Sequence, residues 1–397
     1  NQDEKTVARL VFEDLRPAGA KNLPALVSYL WLKPVKGYPK YSRILVKQLA
    51  EAGFTGDNKE DIFYKALEIE DKKPGSYSAK LNIQLDPDMR SDEATQVILR
   101  VLLQVIRINE INLEKDLDTE FVHDFRVAIR RTRSALGQIQ YVFPTKTTDR
   151  FKKDFAFVGK LSNELRDLDV YLLNEATYKA MLPVTLRNDI GPLFDHLRKK
   201  RSKAFQKVIS GMKSKKYAKI LKDWEVFLNQ PPRDDGTASN AELPILDLAC
   251  KRIYKKYRRV VKAGNLILEN AEDEMLHVLR IHCKKLRYLM EFFSSLFARK
   301  KINVLIAQLK KLQDNLGDFN DLCVQEEYLL NVTTELPATH PQLKKTLVAI
   351  GSLVSALGRE RQMVKDAFAE TFTDFASPGN KELFQELFAS QRSQGVS

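Results

Sequence analysis

The chain has 397 residues, 44% hydrophobic and 29% charged, which is room for two or three domains with real cores and excludes an intrinsically disordered chain. Its 65 Lys and Arg against 52 Asp and Glu give a formal charge of +13, pointing to an anionic partner: nucleic acid, a membrane surface or a smaller polyanion. Three cysteines (Cys250, Cys283, Cys323) cannot build a disulfide framework, and no apolar run reaches the ~18 residues of a membrane span. The polar start reads as lacking a signal peptide, so a soluble cytoplasmic protein is expected.

In chain order, residues 1–92 read as a partial α/β segment. Residues 6–12 and 26–32 are rich in β-branched and aromatic residues and predict strands, punctuated by Pro17, Gly19 and Pro24. Residues 41–52 carry helical apolar spacing (Ile44, Leu45, Leu49) with Gly53 as a stop. Alternation at 66–70 and 80–85 predicts two further strands.

From Asp92 the texture is helical. Amphipathic stretches run through 97–113, 120–142, 151–178, 193–209, 218–228, 245–261, 273–297, 302–331 and 343–375, with breaks at Pro144, Pro183, Gly191-Pro192, Pro231-Pro232, Gly236, Pro337 and Pro341. The expected organisation is a helical half at 93–230, a linker at 231–244, a second half at 245–376, and a polar tail at 377–397 with one amphipathic turn.

The second half repeats the first. A shift of 154 carries His123 onto His277, Arg126 onto Arg280, Arg130-Arg131 onto Lys284-Lys285, and Arg133 onto Arg287. The same shift carries Asp167-Leu168 onto Asp321-Leu322 and Val170 onto Val324. The fold class expected is therefore mainly α: a duplicated helical bundle with pseudo-two-fold symmetry behind a small α/β segment.

On a helix, with His123 at zero, Arg126, Arg130 and Arg133 fall near about −60°, −20° and −80°. This cationic stripe borders the apolar arc of Phe125, Ile129, Thr132 and Leu136; Leu279, Cys283, Leu286 and Met290 do the same in the second copy. A solvated charged face normally mixes signs, yet Arg126, Arg130 and Arg133 have no acid three or four residues away, and in the second copy only Arg287 has one, Glu291. Arg126 and Arg130, like Arg280 and Lys284, stack like charges at i,i+4, at a cost of roughly 0.2–0.5 kcal/mol per pair. A bound polyanion that neutralises both stripes accounts for this better than a solvated face. A histidine within each stripe would charge more readily beside a phosphate. His282, on another face and unmatched in the first copy, reads as incidental. Further basic runs at 198–201, 213–216 and 251–259 read as solvated helix surface or as electrostatic guides.

These motifs (122–133 and 166–170; 276–281, 284–288, Glu291, Leu312-Gln313, Leu316-Gly317 and Asn320-Asp321) resemble the CHAD family, the histidine-containing α-helical domains, over about residues 93–375. The resemblance implies two four-helix bundles about a basic cleft or pore that binds inorganic polyphosphate, without catalysis or cofactor, and suggests targeting to polyphosphate granules. The residues it assigns to binding are His123, Arg126, Arg130, Arg131, Arg133, His277, Arg280, Lys284, Lys285, Arg287 and Tyr288. The physics agrees: polyphosphate has no bases, and the stripes lack the interleaved aromatics of a single-strand nucleic-acid groove. Residues 1–92 more weakly resemble the C-terminal half of a CYTH domain, on Lys5–Leu10 and Pro34–Tyr38. The sequence Glu68-Ile69-Glu70-Asp71-Lys72 matches the CYTH catalytic pattern by letters, but lies too late in the segment and reads as a decoy.

Three other functions compete. Metal-dependent phosphate hydrolysis is suggested by His123-Asp124, but the second copy has Val278 there, and scattered histidines do not make a two-metal centre. Asp167, Asp169, Asp318 and Asp321 are expected to orient arginines or cap helices rather than hold a metal. An RNA-binding helical scaffold, or a structural bundle that recruits partners, are the other readings.

Overall fold

The computed structural model describes residues 5–15, 27–54, 56, 81, 83–231 and 236–389. The chain divides into two units, residues 1–80 and 81–397.

In the first unit, β1 (Ala8–Leu15) and β2 (Val27–Pro34) form an antiparallel pair with Ala8 opposite Pro34. Helix α1 (Pro39–Glu51) starts on a proline, whose missing N–H costs nothing in the first turn. It ends on Gly53 at φ 92°, where the Phe54 N–H donates to the Leu49 carbonyl at 3.0 Å; only glycine takes that left-handed position without strain. The alternating run at 66–70, with Glu68 and Glu70, lies outside the described residues.

Residues 83–85 form no strand, a correction to the alternation at 80–85. Ile83 and Leu85 are buried in the core of the helical unit, and the Leu85 N–H donates to Ser295 Oγ at 3.2 Å. Alternation marks a one-sided extended chain whether or not a sheet lies beneath it. The unit boundary accordingly falls at 80 rather than 92.

The second unit begins with α2 (Ser91–Leu113), whose first turn carries Asp92 and Glu93 at the positive end of the helix dipole. Asp118 caps α3 (Thr119–Gln138) by accepting from the Glu120 N–H at 2.8 Å. Next come α4 (Thr145–Leu161), α5 (Asn163–Leu173), α6 (Glu175–Met181), α7 (Gly191–Met212) and α8 (Lys215–Asn229), the last capped by Ser214. The second half holds α9 (Ile245–Glu269), α10 (Asp273–Phe292), α11 (Arg299–Val332), α12 (Leu343–Asp366), α13 (Phe368–Phe375) and α14 (Pro378–Phe388). Among the described residues no helix is long and apolar enough to cross a membrane.

Two expectations change. The stretch 151–178 is broken at Ser162 (φ −104°, ψ 9°), which separates α4 from α5, whereas Leu316 at the repeat-equivalent place lets α11 run unbroken for 34 residues. The expected tail instead folds as α14: Phe384 is fully buried and stacks on Tyr257 at 3.8 Å between ring centroids. The linker end is ordered too, with Ser91 and Asp92 N–H groups donating to the Leu243 and Ala241 carbonyls.

The two halves meet through elements that are each other's repeat counterparts: α2 packs on α9, α3 on α10 and α7 on α12. From α5, Tyr171 stacks on Tyr328 of α11 at 4.3 Å. Contacts of an element with its own copy are what a two-fold relation produces. The fold is the expected duplicated helical bundle.

Candidate functional site

Helices α3 and α10 bury their apolar arcs (Phe125, Ile129, Thr132 and Leu136; Leu279, Cys283, Leu286 and Met290) and carry the cationic stripes along the edge of that contact. In the first copy, Arg126 is half-buried and donates to Asn163 Oδ1 at the start of α5. Burial pushes its guanidinium down; the Asp167 carboxylate holds it up, while Arg130 and Arg166 push it further down. His123 is half-buried and lowered from the usual imidazole range by burial and then by Arg166, against the opposing pull of Glu120 and Asp124.

In the second copy the same positions are solved differently. His277 is exposed, and its Nδ1 lies 2.7 Å from Asn320 Oδ1, the counterpart of Arg166. Arg280 pairs with Asp321 at 3.1 Å, because Gly317 stands where Asn163 serves Arg126. The expectation that aspartates orient arginines is met by Asp321. Asp169 also serves an arginine, Arg201, away from the stripes.

Where α3 crosses α10, Arg130 Nε donates to the Tyr288 hydroxyl at 2.9 Å. Arg131 pairs with Glu291 at 2.8 Å and Arg287 with the other oxygen of the same carboxylate at 3.2 Å. The Arg131 and Arg287 guanidinium carbons lie 5.9 and 6.0 Å from the Tyr288 ring centroid. One carboxylate thus serves two arginines, and one buried tyrosine organises three. The stripes are therefore not wholly uncompensated: Arg287 has the Glu291 that its own helix spacing shows, and Arg131 and Arg280 have carboxylate partners contributed by another helix, which one-helix spacing could not reveal.

Arg130 and Lys284 form no ion pair among the described residues. Burial, then Arg280 and Arg130, hold the Lys284 ammonium down to about 8, with Asp321 opposing. The Arg130 charge also lowers Arg280 across the contact, and His123 and Arg126 on its own helix. Arg130 is the point where the two stripes meet. Arg130 is exposed, and among the described residues only its Nε makes a hydrogen bond.

The other expected residues separate from this centre. Arg133 is exposed, with no ion pair among the described residues. The Lys285 charge bears on Lys256 of α9 and on His282, and is not among the charges that lower Lys284. In the run at 198–201 three of the four cations are paired: Arg198 with Glu175 and Asp195, Lys200 with Glu335, and Arg201 with Asp116 and Asp169. Arg166 and Asn320 belong to the motifs that carry the family resemblance but were not among the expected binding residues, and Asn163 was not singled out at all; the signal of each is a repeat position facing a stripe residue. Among the described residues no group of three or more His, Cys, Asp or Glu is placed to hold a metal ion.

A sequence model of the CHAD domain matches residues 97–330, more than half of the chain. The chain belongs to the CHAD domain family. The fold is similar to the crystal structure of the CHAD domain from the plant Ricinus communis, with a TM-score of 0.63 at 22% identity over 76% of this chain and 97% of that one. It is also similar to PptA from Streptomyces chartreusis, with a TM-score of 0.53 at 16% identity over 72% of this chain and 99% of that one. Two uncharacterized Mycobacterium tuberculosis proteins, MT2285 (strain CDC 1551 / Oshkosh) and Rv2226 (strain ATCC 25618 / H37Rv), are each 24% identical over 214 residues. That match covers 53% of this chain and 40% of each relative, so this CHAD chain spans about two fifths of their length.

Proposed function

We propose that this protein binds inorganic polyphosphate in the groove where α3 crosses α10, with Arg130 and Lys284 as the central contacts. The observation that carries the reading is their placement: two cations from opposite halves, near each other's field, neither paired with a carboxylate among the described residues. A chain of phosphates supplies the missing negative charge repeatedly along its length, and an arginine fork can hold two phosphate oxygens at once. His123, Arg126, His277 and Arg280 flank the centre along the two stripes, while Arg131 and Arg287 add charge beyond what Glu291 neutralises. The association of the CHAD family with polyphosphate binding supports the same partner.

RNA is the weaker partner for this groove. Tyr288, the aromatic beside the stripe, is 4% exposed and lies against two guanidinium groups, so it offers no open face for a base. The reading is also non-catalytic. Asp321 and Glu291 are engaged by arginines, which leaves them poorly suited to activate a water. Recruitment to polyphosphate granules is the use that such binding best serves.

The test is displacement of labelled long-chain polyphosphate at physiological salt by unlabelled polyphosphate, RNA and ATP. Displacement by polyphosphate at concentrations where RNA of equal charge and ATP are inert is expected. Equal displacement by RNA would replace this reading with the RNA scaffold, and magnesium-dependent release of phosphate would replace it with hydrolysis.

A further inference from the structure

A second cationic cluster lies outside the groove, in the seam between α9 and α10. Lys256 and Arg259 stand three residues apart on one face of α9, and His282 and Lys285 three apart on the facing side of α10. No side chain of the four makes a hydrogen bond or ion pair among the described residues, and His282 Nδ1 is shielded from solvent without a partner.

Their mutual proximity is visible in their electrostatics. Burial, then Lys285 and Arg259, bring the Lys256 ammonium down to about 8. His282 is lowered by burial and then by Lys256, Lys285 and Arg259, with no carboxylate opposing them. On the adjoining surface Arg252 is committed to the Gln140 carbonyl and side chain, and the Gln138 amide donates to the Lys285 carbonyl.

This cluster is not inherited from the repeat. The burial pattern places α9 on α2 with a shift of 151: Ile98, Leu99, Leu102 and Ile106 fall on Ala249, Cys250, Ile253 and Tyr257. In that register Lys256 and Arg259 replace Val105 and Ile108, while in the shift of 154 that relates α10 to α3 His282 and Lys285 replace Ala128 and Arg131. The first half is apolar there apart from Arg131, which Glu291 neutralises. Three cationic or titratable side chains have been set into one half only, against their own repulsion, with nothing in the described protein to neutralise them.

We infer that Lys256, Arg259, His282 and Lys285 form a second phosphate-binding site, and that a polyphosphate chain seated in the groove at Arg130 and Lys284 continues across Lys285 into the α9–α10 seam. Lys284 and Lys285 differ by one helical step, 1.5 Å along and about 100° around, so consecutive residues hand the chain from one face to the next. The inference rests on the proposed function and adds a direction to it: the chain extends over the second half and not symmetrically over both. It also separates ligands by length. Tripolyphosphate fills the groove alone; a long chain engages both sites.

The experiment compares tripolyphosphate and long-chain polyphosphate binding, by calorimetry, to the wild-type chain, K256Q/R259Q and R130Q/K284Q. The seam variant should lose about tenfold for the long chain, with a shallower salt dependence, and nothing for tripolyphosphate; the groove variant should weaken both. Unchanged long-chain affinity in a folded seam variant, beside a groove variant that has lost it, overturns the second site and leaves the groove standing. Wild-type protein that binds neither ligand overturns both. Circular dichroism checks folding, and the exposed single substitution R259Q replaces the double variant if Lys256 proves structurally necessary.

Discussion

Arg130 Nε donates to the hydroxyl of Tyr288 at 2.9 Å, joining the stripe of one helical half to a buried side chain of the other. This bond fixes the direction of a guanidinium whose remaining N–H groups stay available. Tyr288 has no counterpart in the first copy, where Ser134 occupies its place. The cross-half contact is therefore built asymmetrically on a symmetric frame.

Removing only the hydroxyl should separate positioning from charge. Tyr288→Phe keeps the ring against Arg131 and Arg287 but frees Arg130 to wander, so polyphosphate affinity should fall about three- to tenfold, with little change in melting temperature. Titration and thermal denaturation of the same samples check this. An unchanged affinity means that Arg130 finds its ligand without help.

Binding should weaken as pH rises. The Lys284 ammonium is held down to about 8 in the free protein, and a bound polyanion raises it. Affinity should therefore fall between about pH 7 and about pH 9.5, with proton uptake on binding in that window. His123, lowered by burial, adds a rise in affinity as pH falls below the usual imidazole range. The sign for folding is opposite. Lys284 and Lys256 bind protons more weakly folded than unfolded, so their contribution to stability grows from about pH 8 toward the ordinary lysine range. Calorimetry in buffers of different ionisation enthalpy, alongside urea titrations, reads both trends.

Stability depends on a different arginine. Arg201 of α7 holds the buried Asp169 at 2.7 Å and Asp116 at 2.6 Å, tying α7 to α5 and to the turn before α3. Arg201→Met should cost on the order of 3–5 kcal/mol because it strands a buried carboxylate. Adding Asp169→Asn should recover part of that loss. Urea denaturation of the two single variants and the double variant measures the coupling.

How much of this could be read from the sequence follows from what each feature depends on. The repeat and the stripes of α3 and α10 depend on spacing within one helix, and both were legible. The break at Ser162 was not: serine is tolerated inside helices, and only the comparison with Leu316 shows which copy bends. Helix α14 reads from the sequence only as one amphipathic turn in a polar tail because its flanks are polar, although Leu383, Phe384, Leu387 and Phe388 mark one apolar face. The partners of the stripe could not be read at all where they lie across helices. Asp321 reaches Arg280 from 41 residues away, and Glu291 reaches Arg131 from 160 away. Lys285 enters the expected binding set through its repeat match to Arg131 and the family resemblance, neither of which shows that a helix turns it about 100° from Lys284.

The central claim is that the charge left open where α3 meets α10 is there for polyphosphate. The direct measurement is the dissociation constant for long-chain polyphosphate of the wild-type chain against R130E/K284E, at fixed salt, with folding confirmed by circular dichroism. The account predicts a loss of about a hundredfold or more in a folded variant, since two attractions become two repulsions. A folded variant that binds polyphosphate within about twofold of wild type would contradict it.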